Sequence, residues 1–79
     1  MATQTMSALS TVETLLDEVE EWFDRVRKVR RKLGRLRKGS AGYLDLLPDL
    51  ELTLDVLSSK VEHAHEALEV FEESLPGTE

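Results

Sequence analysis

The sequence predicts an all-α protein, an antiparallel two-helix coiled-coil hairpin. Two long apolar stripes recur with helical spacing, and a short segment containing glycine separates them. Capping and stop signals mark the ends of both stripes. Short connections between helices favour antiparallel neighbours, so one hairpin is the simplest arrangement. We expect the hairpin to assemble into a four-helix bundle or to dock on another helical protein.

The first helix is predicted over about 11–38, with residues 1–9 as a disordered N-terminal tail. Ser10 to Glu13 have the form of a capping box, in which the serine and glutamate side chains satisfy each other's free amides. Gly39 stands where a left-handed C-cap is expected. The apolar stripe alternates spacings of three and four: Val12, Leu15, Val19, Trp22, Val26, Val29, Leu33 and Leu36.

The second helix is predicted over about 45–74, after a loop at 39–44 and within a hairpin that spans 10–75. Pro48 is tolerated because it then falls in the first turn. Pro76 and Gly77 stop the helix, which leaves 76–79 as a C-terminal tail. The second stripe is Leu47, Leu50, Leu54, Leu57, Val61, Ala64, Leu68, Phe71 and Leu75.

The two stripes also predict how the helices are aligned along the hairpin. Folding about the predicted loop sets Leu33 near Leu50 and Trp22 near Val61. In this register each a position faces a d position, as antiparallel coiled coils require.

The chain has 79 residues and no cysteine, so it forms one small domain at most and holds no disulfide or thiolate metal site. Domains of this size bury too little surface to be stable alone without help. Oligomerisation, or docking on a larger partner, is the remedy we expect. The lack of cysteine also fits a reducing compartment, and we expect an intracellular location, cytoplasmic rather than nuclear.

The formal net charge is −6, but the basic residues are concentrated in one segment. All but Lys60 lie in what we name the basic block: Arg25, Arg27, Lys28, Arg30, Arg31, Lys32, Arg35, Arg37 and Lys38. We expect the basic block to pair with acidic residues, such as Arg30 with Glu51 near the loop. The open end of the hairpin is acidic on both helices. An antiparallel dimer would relieve that repulsion by setting acidic and basic halves together.

Apolar residues outside the stripes predict a partner interface. They are Leu16 and Phe23 in the first helix, and Leu52, Val56 and Val70 in the second. A lone hairpin buries one stripe of each helix, whereas a four-helix bundle buries a wider one. The predicted partner is therefore a second copy of the chain or another helical protein.

The alternative function is a small nucleic-acid-associated protein that uses the basic block for phosphate contacts. A sequence pI of about 4.9 and the lack of aromatics within the block argue against it. A calmodulin-target or membrane-surface helix would need the Val26 to Leu36 stripe, which the hairpin already uses. A nuclear localisation signal is left open. No apolar run approaches the length of a membrane span.

No cofactor, metal site or reaction is predicted. Glu62 and His65 match the Glu-x-x-His pair of di-iron bundles, but the facing stripe of the first helix has no inward carboxylate. His63 and His65 are two apart, about 200° around a helix, so they cannot share one ion. No phosphate-binding loop, positioned nucleophile or small-molecule substrate site is evident, and we expect a non-enzyme.

Overall fold

A computed structural model describes residues 2–75, with side chains from Thr5 onward. Within that range the chain forms two helices, α1 (Ala2–Arg35) and α2 (Ala41–Ser74), which pack against each other along their length. The predicted all-α hairpin is confirmed. It is a long, thin body of 57 × 19 × 14 Å.

The first helix begins at Ala2, eight residues before the predicted cap at Ser10. The expected disordered tail is thus helical from Ala2 onward, while Met1 and the predicted tail 76–79 lie outside the described residues. The segment has no glycine or proline to stop a helix. Thr5 also continues the inward stripe, and its hydroxyl donates to the Ser74 carbonyl over 3.0 Å. That bond ties the start of α1 to the end of α2.

The turn between the helices is shorter than predicted, occupying 36–40 rather than 39–44. The amide of Leu36 donates to the Leu33 carbonyl, and Gly39 takes a left-handed φ of 82°. Ser40 then caps α2, its hydroxyl oxygen accepting from the Tyr43 amide over 3.2 Å. Ser40 is a favoured N-cap residue, so α2 begins at once after the glycine.

The early start of α2 places Pro48 inside the helix instead of in its first turn. A proline there leaves the carbonyl of Leu44 without its usual amide donor. Leu44 and Asp45 are exposed, so water can solvate this end of the helix.

The register between the helices differs from the prediction by about one helical turn. Thr5 contacts Ser74, and the Lys60 ammonium donates to the Glu18 carboxylate over 2.9 Å. Counting from these contacts, Trp22 lies level with Leu57 rather than with Val61. The cause is the position of the turn: α2 begins at Ala41, four residues before the predicted start at Asp45, so each of its residues lies about one helical turn farther from the loop than predicted.

The change of register also changes which side of α2 faces α1. Four predicted stripe residues, one per heptad, stay inward. Each of the other five is replaced in the seam by the residue one position earlier in the sequence. The inward residues are Leu46, Leu50, Thr53, Leu57, Lys60, Ala64, Ala67, Phe71 and Ser74. On α1 the predicted stripe is inward from Val12 to Leu33, and Leu36 is exposed.

The resulting core is thin. Val12 and Ala64 are the buried apolar side chains of the described region, at 5% and 7% exposure, and no large side chain there is fully enclosed. Thr53 is buried too, and its hydroxyl donates to the Asp49 carbonyl over 2.7 Å. Two helices bury little apolar surface when polar residues take part of the seam.

Replacing Gly39 by alanine should destabilise the hairpin by about 1 kcal/mol, because L residues rarely adopt its positive φ. The free energy of unfolding in urea, followed by circular dichroism, measures this. Gly34→Ala is the matched control, since an added methyl there meets no atom within 4 Å and helix propensity favours alanine. Equal losses from both substitutions would contradict the turn described above.

Exchanging the charges of Glu18 and Lys60 should test the register. Lys60→Glu alone places two carboxylates together, while Glu18→Lys with Lys60→Glu restores an attractive pair. Because both side chains are about one-third exposed, we expect a coupling free energy of about 0.5–1 kcal/mol in a double-mutant cycle. In the predicted register Glu18 and Lys60 lie about a turn apart along the hairpin, and a coupling of zero would favour it.

Candidate interaction surface

The most prominent surface feature is a set of exposed apolar side chains on one side of the hairpin, which we name the apolar face. Its α2 row has strict seven-residue spacing and exposures between 37% and 49%, and its α1 row has the same spacing. Seven residues are nearly two helical turns, so each row stays on one side of its helix. The members are Leu9, Leu16 and Phe23 of α1, with Leu47, Leu54, Val61, Leu68 and Leu75 of α2.

A shallow groove joins the two rows in the open half of the hairpin. Leu16 lines it from α1, and Val61 and Leu68 line it from α2. Its floor is the seam itself, formed by Val12, Val19 and Ala64, and His65 stands at its rim. The groove shows that the rows of the two helices belong to one continuous surface.

The opposite side of the hairpin is polar. Leu16 and Glu18 are two positions apart, about 200° around α1, so they flank the seam on different sides. Glu18 binds Lys60 there, and the Arg25 guanidinium lies 4.1 Å from the centre of the Trp22 ring. Arg25 also pairs with Glu21 at 3.5 Å. The two sides of the hairpin therefore differ in kind: one has charged pairs, and the other has unpartnered leucines.

Toward the loop, charged side chains replace apolar ones in the α1 row of the apolar face. The α1 row ends at Phe23, whose ring has the Arg27 guanidinium 5.2 Å from its centre. One heptad after Phe23 the row continues with Arg30. The α2 row stays apolar over its whole length, from Leu47 to Leu75. The surface is thus widest near the open end and narrows to the α2 row near the loop.

The structure brings together two of the five residues predicted for the partner interface. Leu16 and Phe23 lie on the apolar face. Leu52 and Val70 are exposed elsewhere on α2, and Val56 lines a depression with Lys60 on the polar side. Helical spacing places these three α2 residues away from the row that contains Val61.

The basic block is exposed throughout, along the outer surface of α1 and in the turn. Its ion pairs within the described residues are short-range: Arg25 with Glu21, and Lys28 with Asp24 at 3.9 Å. The expected pairing of Arg30 with Glu51 is absent from the described region, where Lys60–Glu18 is the ion pair that joins the helices. The change of register moves Glu51 away from the level of Arg30.

The histidine pair and its neighbouring glutamates form no metal cluster. His63 and His65 are both exposed and lie on different sides of α2, with His65 at the groove. Among residues 2–75, no group of three or more candidate ligands comes together.

Sequence reasoning placed the α2 row of the apolar face in the seam, and so missed it as a surface. A signal for it was present at Ser40, because a favoured capping residue directly after a C-cap glycine permits α2 to begin four residues earlier than predicted.

No protein-family model matches the chain, and no curated protein or solved structure matches it. Neither helix in the described part of the chain is long and apolar enough to cross a membrane.

Truncating Leu57 should cost more stability than truncating Leu54, because Leu57 faces α1 and Leu54 lies on the apolar face. In dilute protein we expect Leu57→Ala to lower the free energy of unfolding by about 1–2 kcal/mol, and Leu54→Ala by less than about 0.7 kcal/mol. Urea unfolding followed by Trp22 fluorescence measures both. The reverse order at high dilution would place the Leu54 row in the seam.

Proposed function

We propose that this protein is a non-enzymatic assembly module, which uses the apolar face to bind a second helical surface. The protein would act either as a homodimer or as one subunit of a larger helical complex. An intracellular and cytoplasmic location belongs to the same proposal, and it rests on the cysteine-free sequence.

The observation that carries the proposal is the α2 row of five aliphatic side chains, which remains 37–49% exposed after the hairpin has formed. Single exposed leucines are ordinary on protein surfaces, but a contiguous apolar stripe rimmed by charge is typical of an interaction site. The row runs over roughly 42 Å, nearly the full length of α2.

The spacing of the row favours a helical partner. Seven-residue repeats of Leu and Val pack as knobs into the holes of another helix, and both neighbours in such a pair need the same periodicity. A strand or an irregular loop does not match that repeat over nearly eight turns. The groove between Leu16 and Leu68 adds a hollow in which the partner's side chains can sit.

The low stability expected from the thin core is a second argument for the same function. Val12 and Ala64 bury too little surface to hold 79 residues together, and a second helical surface on the apolar face would supply the missing burial. The basic block is, in this proposal, a solvated outer surface of α1 rather than a nucleic-acid site.

Site-specific photocrosslinking tests the function without presupposing the partner. Benzoylphenylalanine at position 61 lies on the apolar face, and the same residue at Ser59, exposed on the polar side near Lys60, is the matched control. After irradiation in the native cell extract, we expect a discrete adduct from position 61 and none from position 59. Mass spectrometry identifies the adduct as a second copy or as another helical protein.

A smear of unrelated adducts from position 61, or equal labelling from both positions, would overturn the proposal. Either result would mean that the apolar face has no specific partner.

A further inference from the structure

We propose that the occupant of the apolar face is a second copy of the chain, held antiparallel about a two-fold axis at Val61. The inference rests on the proposed function, because it names the partner of the same surface. It follows from the symmetry of the α2 row, from the charge at the two ends of the hairpin and from the area of the face.

The α2 row is self-complementary about Val61. Leu54 and Leu68 stand seven residues to either side, and Leu47 and Leu75 stand fourteen to either side. A two-fold interface requires one surface to match itself after rotation. When α2 packs antiparallel on its copy with Val61 at the axis, Leu54 meets Leu68 of the second copy and Leu47 meets Leu75 of the second copy. Every position of the row then has an apolar partner.

Charge selects this direction over the parallel one. The open end of the hairpin is acidic on both helices, with Glu13 on α1 and Glu69, Glu72 and Glu73 on α2. Two hairpins with their loops at the same end would set these acidic ends side by side. In the antiparallel dimer the open end instead lies at the level of the second copy's basic block, whose Arg27 and Arg30 stand on the side of the apolar face. Opposite charges then meet at both ends.

The same axis brings the two α1 segments from Glu13 to Asp24 to one level, and these segments are acidic. Charge therefore helps at the ends of the dimer and opposes it at the centre. The α2 row has to supply the binding free energy. We expect the dissociation constant to change less than about tenfold between roughly 0.05 and 0.5 M salt, unlike a contact held by charge.

The dimensions fit a stable dimer. The broad side of the hairpin measures 57 by 19 Å, an outline of roughly 1,000 Å². Stable two-partner interfaces bury about 800 Å² on each side. Covering the apolar face with a second copy would therefore use most of one side of the molecule and leave the polar side, with Glu18 and Arg25, in water.

Single cysteines in this cysteine-free chain test both the partner and the axis. Val61→Cys lies next to its own copy at the axis, so mild oxidation should yield a disulfide-linked dimer. Leu54→Cys and Leu68→Cys are each displaced from their own copies by roughly 21 Å, too far for a disulfide. Neither variant should form a disulfide-linked dimer alone, whereas an equimolar mixture of the two should form the disulfide-linked 54–68 heterodimer.

Other patterns would overturn the inference. Disulfides at 54, 61 and 68 alike would indicate a parallel α2 pair, and a disulfide at 54 together with a mixed 47–61 product would move the axis to Leu54. Sedimentation equilibrium of the unmodified chain provides the independent measurement. We expect a dimer whose dissociation constant rises at least about 100-fold in Val61→Glu, because two charges would be buried at the axis, and little in the control Leu52→Glu.

The two proposals can fail separately. A chain that sediments as a monomer at all concentrations, with position 61 crosslinking to a different helical protein, would overturn the two-fold dimer and leave the assembly function in place. A monomer with no specific adduct would overturn both.

Discussion

The short turn at 36–40 is the constraint on which the rest of the structure depends. Gly39 reverses the chain in the left-handed region, and Ser40 caps the next helix one residue later. Antiparallel helices joined by so few residues have almost no freedom to slide, so the register is fixed from the loop outward. It places Lys60 against Glu18 and Thr5 against Ser74 at the far end. A loop four residues longer would change the partner of every seam residue.

That register determines what α2 buries and what it leaves in water. Thr53 and Lys60 occupy seam positions that the predicted register would have given to Leu54 and Val61. Thr53 is satisfied by the Asp49 carbonyl, and Lys60 by Glu18, so neither polar group is left without a partner. The apolar surface that these residues displace from the seam is the surface we assign to assembly. The thin core and the exposed apolar face thus have the same cause.

The sequence predicts α1 better than α2, for a physical reason. α1 is strongly amphipathic, and one stripe runs from Val12 to Leu33 beside the shorter row of Leu9, Leu16 and Phe23. α2 offers two candidate stripes, which share Leu50, Leu57, Ala64 and Phe71 and differ in their remaining residues by one position, about 100° around the helix. Periodicity favours the more apolar stripe, while the position of the turn decides between the two stripes. Local capping at Ser40 overrides the pattern, and the pattern contains no measure of loop length. The helix before Ser10 was missed because its apolar signal is weak, and its contact with Ser74 is remote in sequence.

The apolar surface of α2 is wider than that of α1, and this difference indicates different roles for the two helices. A helix that packs on one neighbour needs one narrow stripe, and a helix with apolar rows on two sides packs on two neighbours. α1 fits the first description over its second half, where exposed arginine and lysine side chains occupy its outer surface. α2 fits the second along its whole length, from Leu47 to Leu75. In any assembly that covers the apolar face, α2 therefore lies toward the middle and α1 toward solvent. The basic block of α1 then stays exposed, and its charge acts on the orientation of the partner more than on the strength of binding.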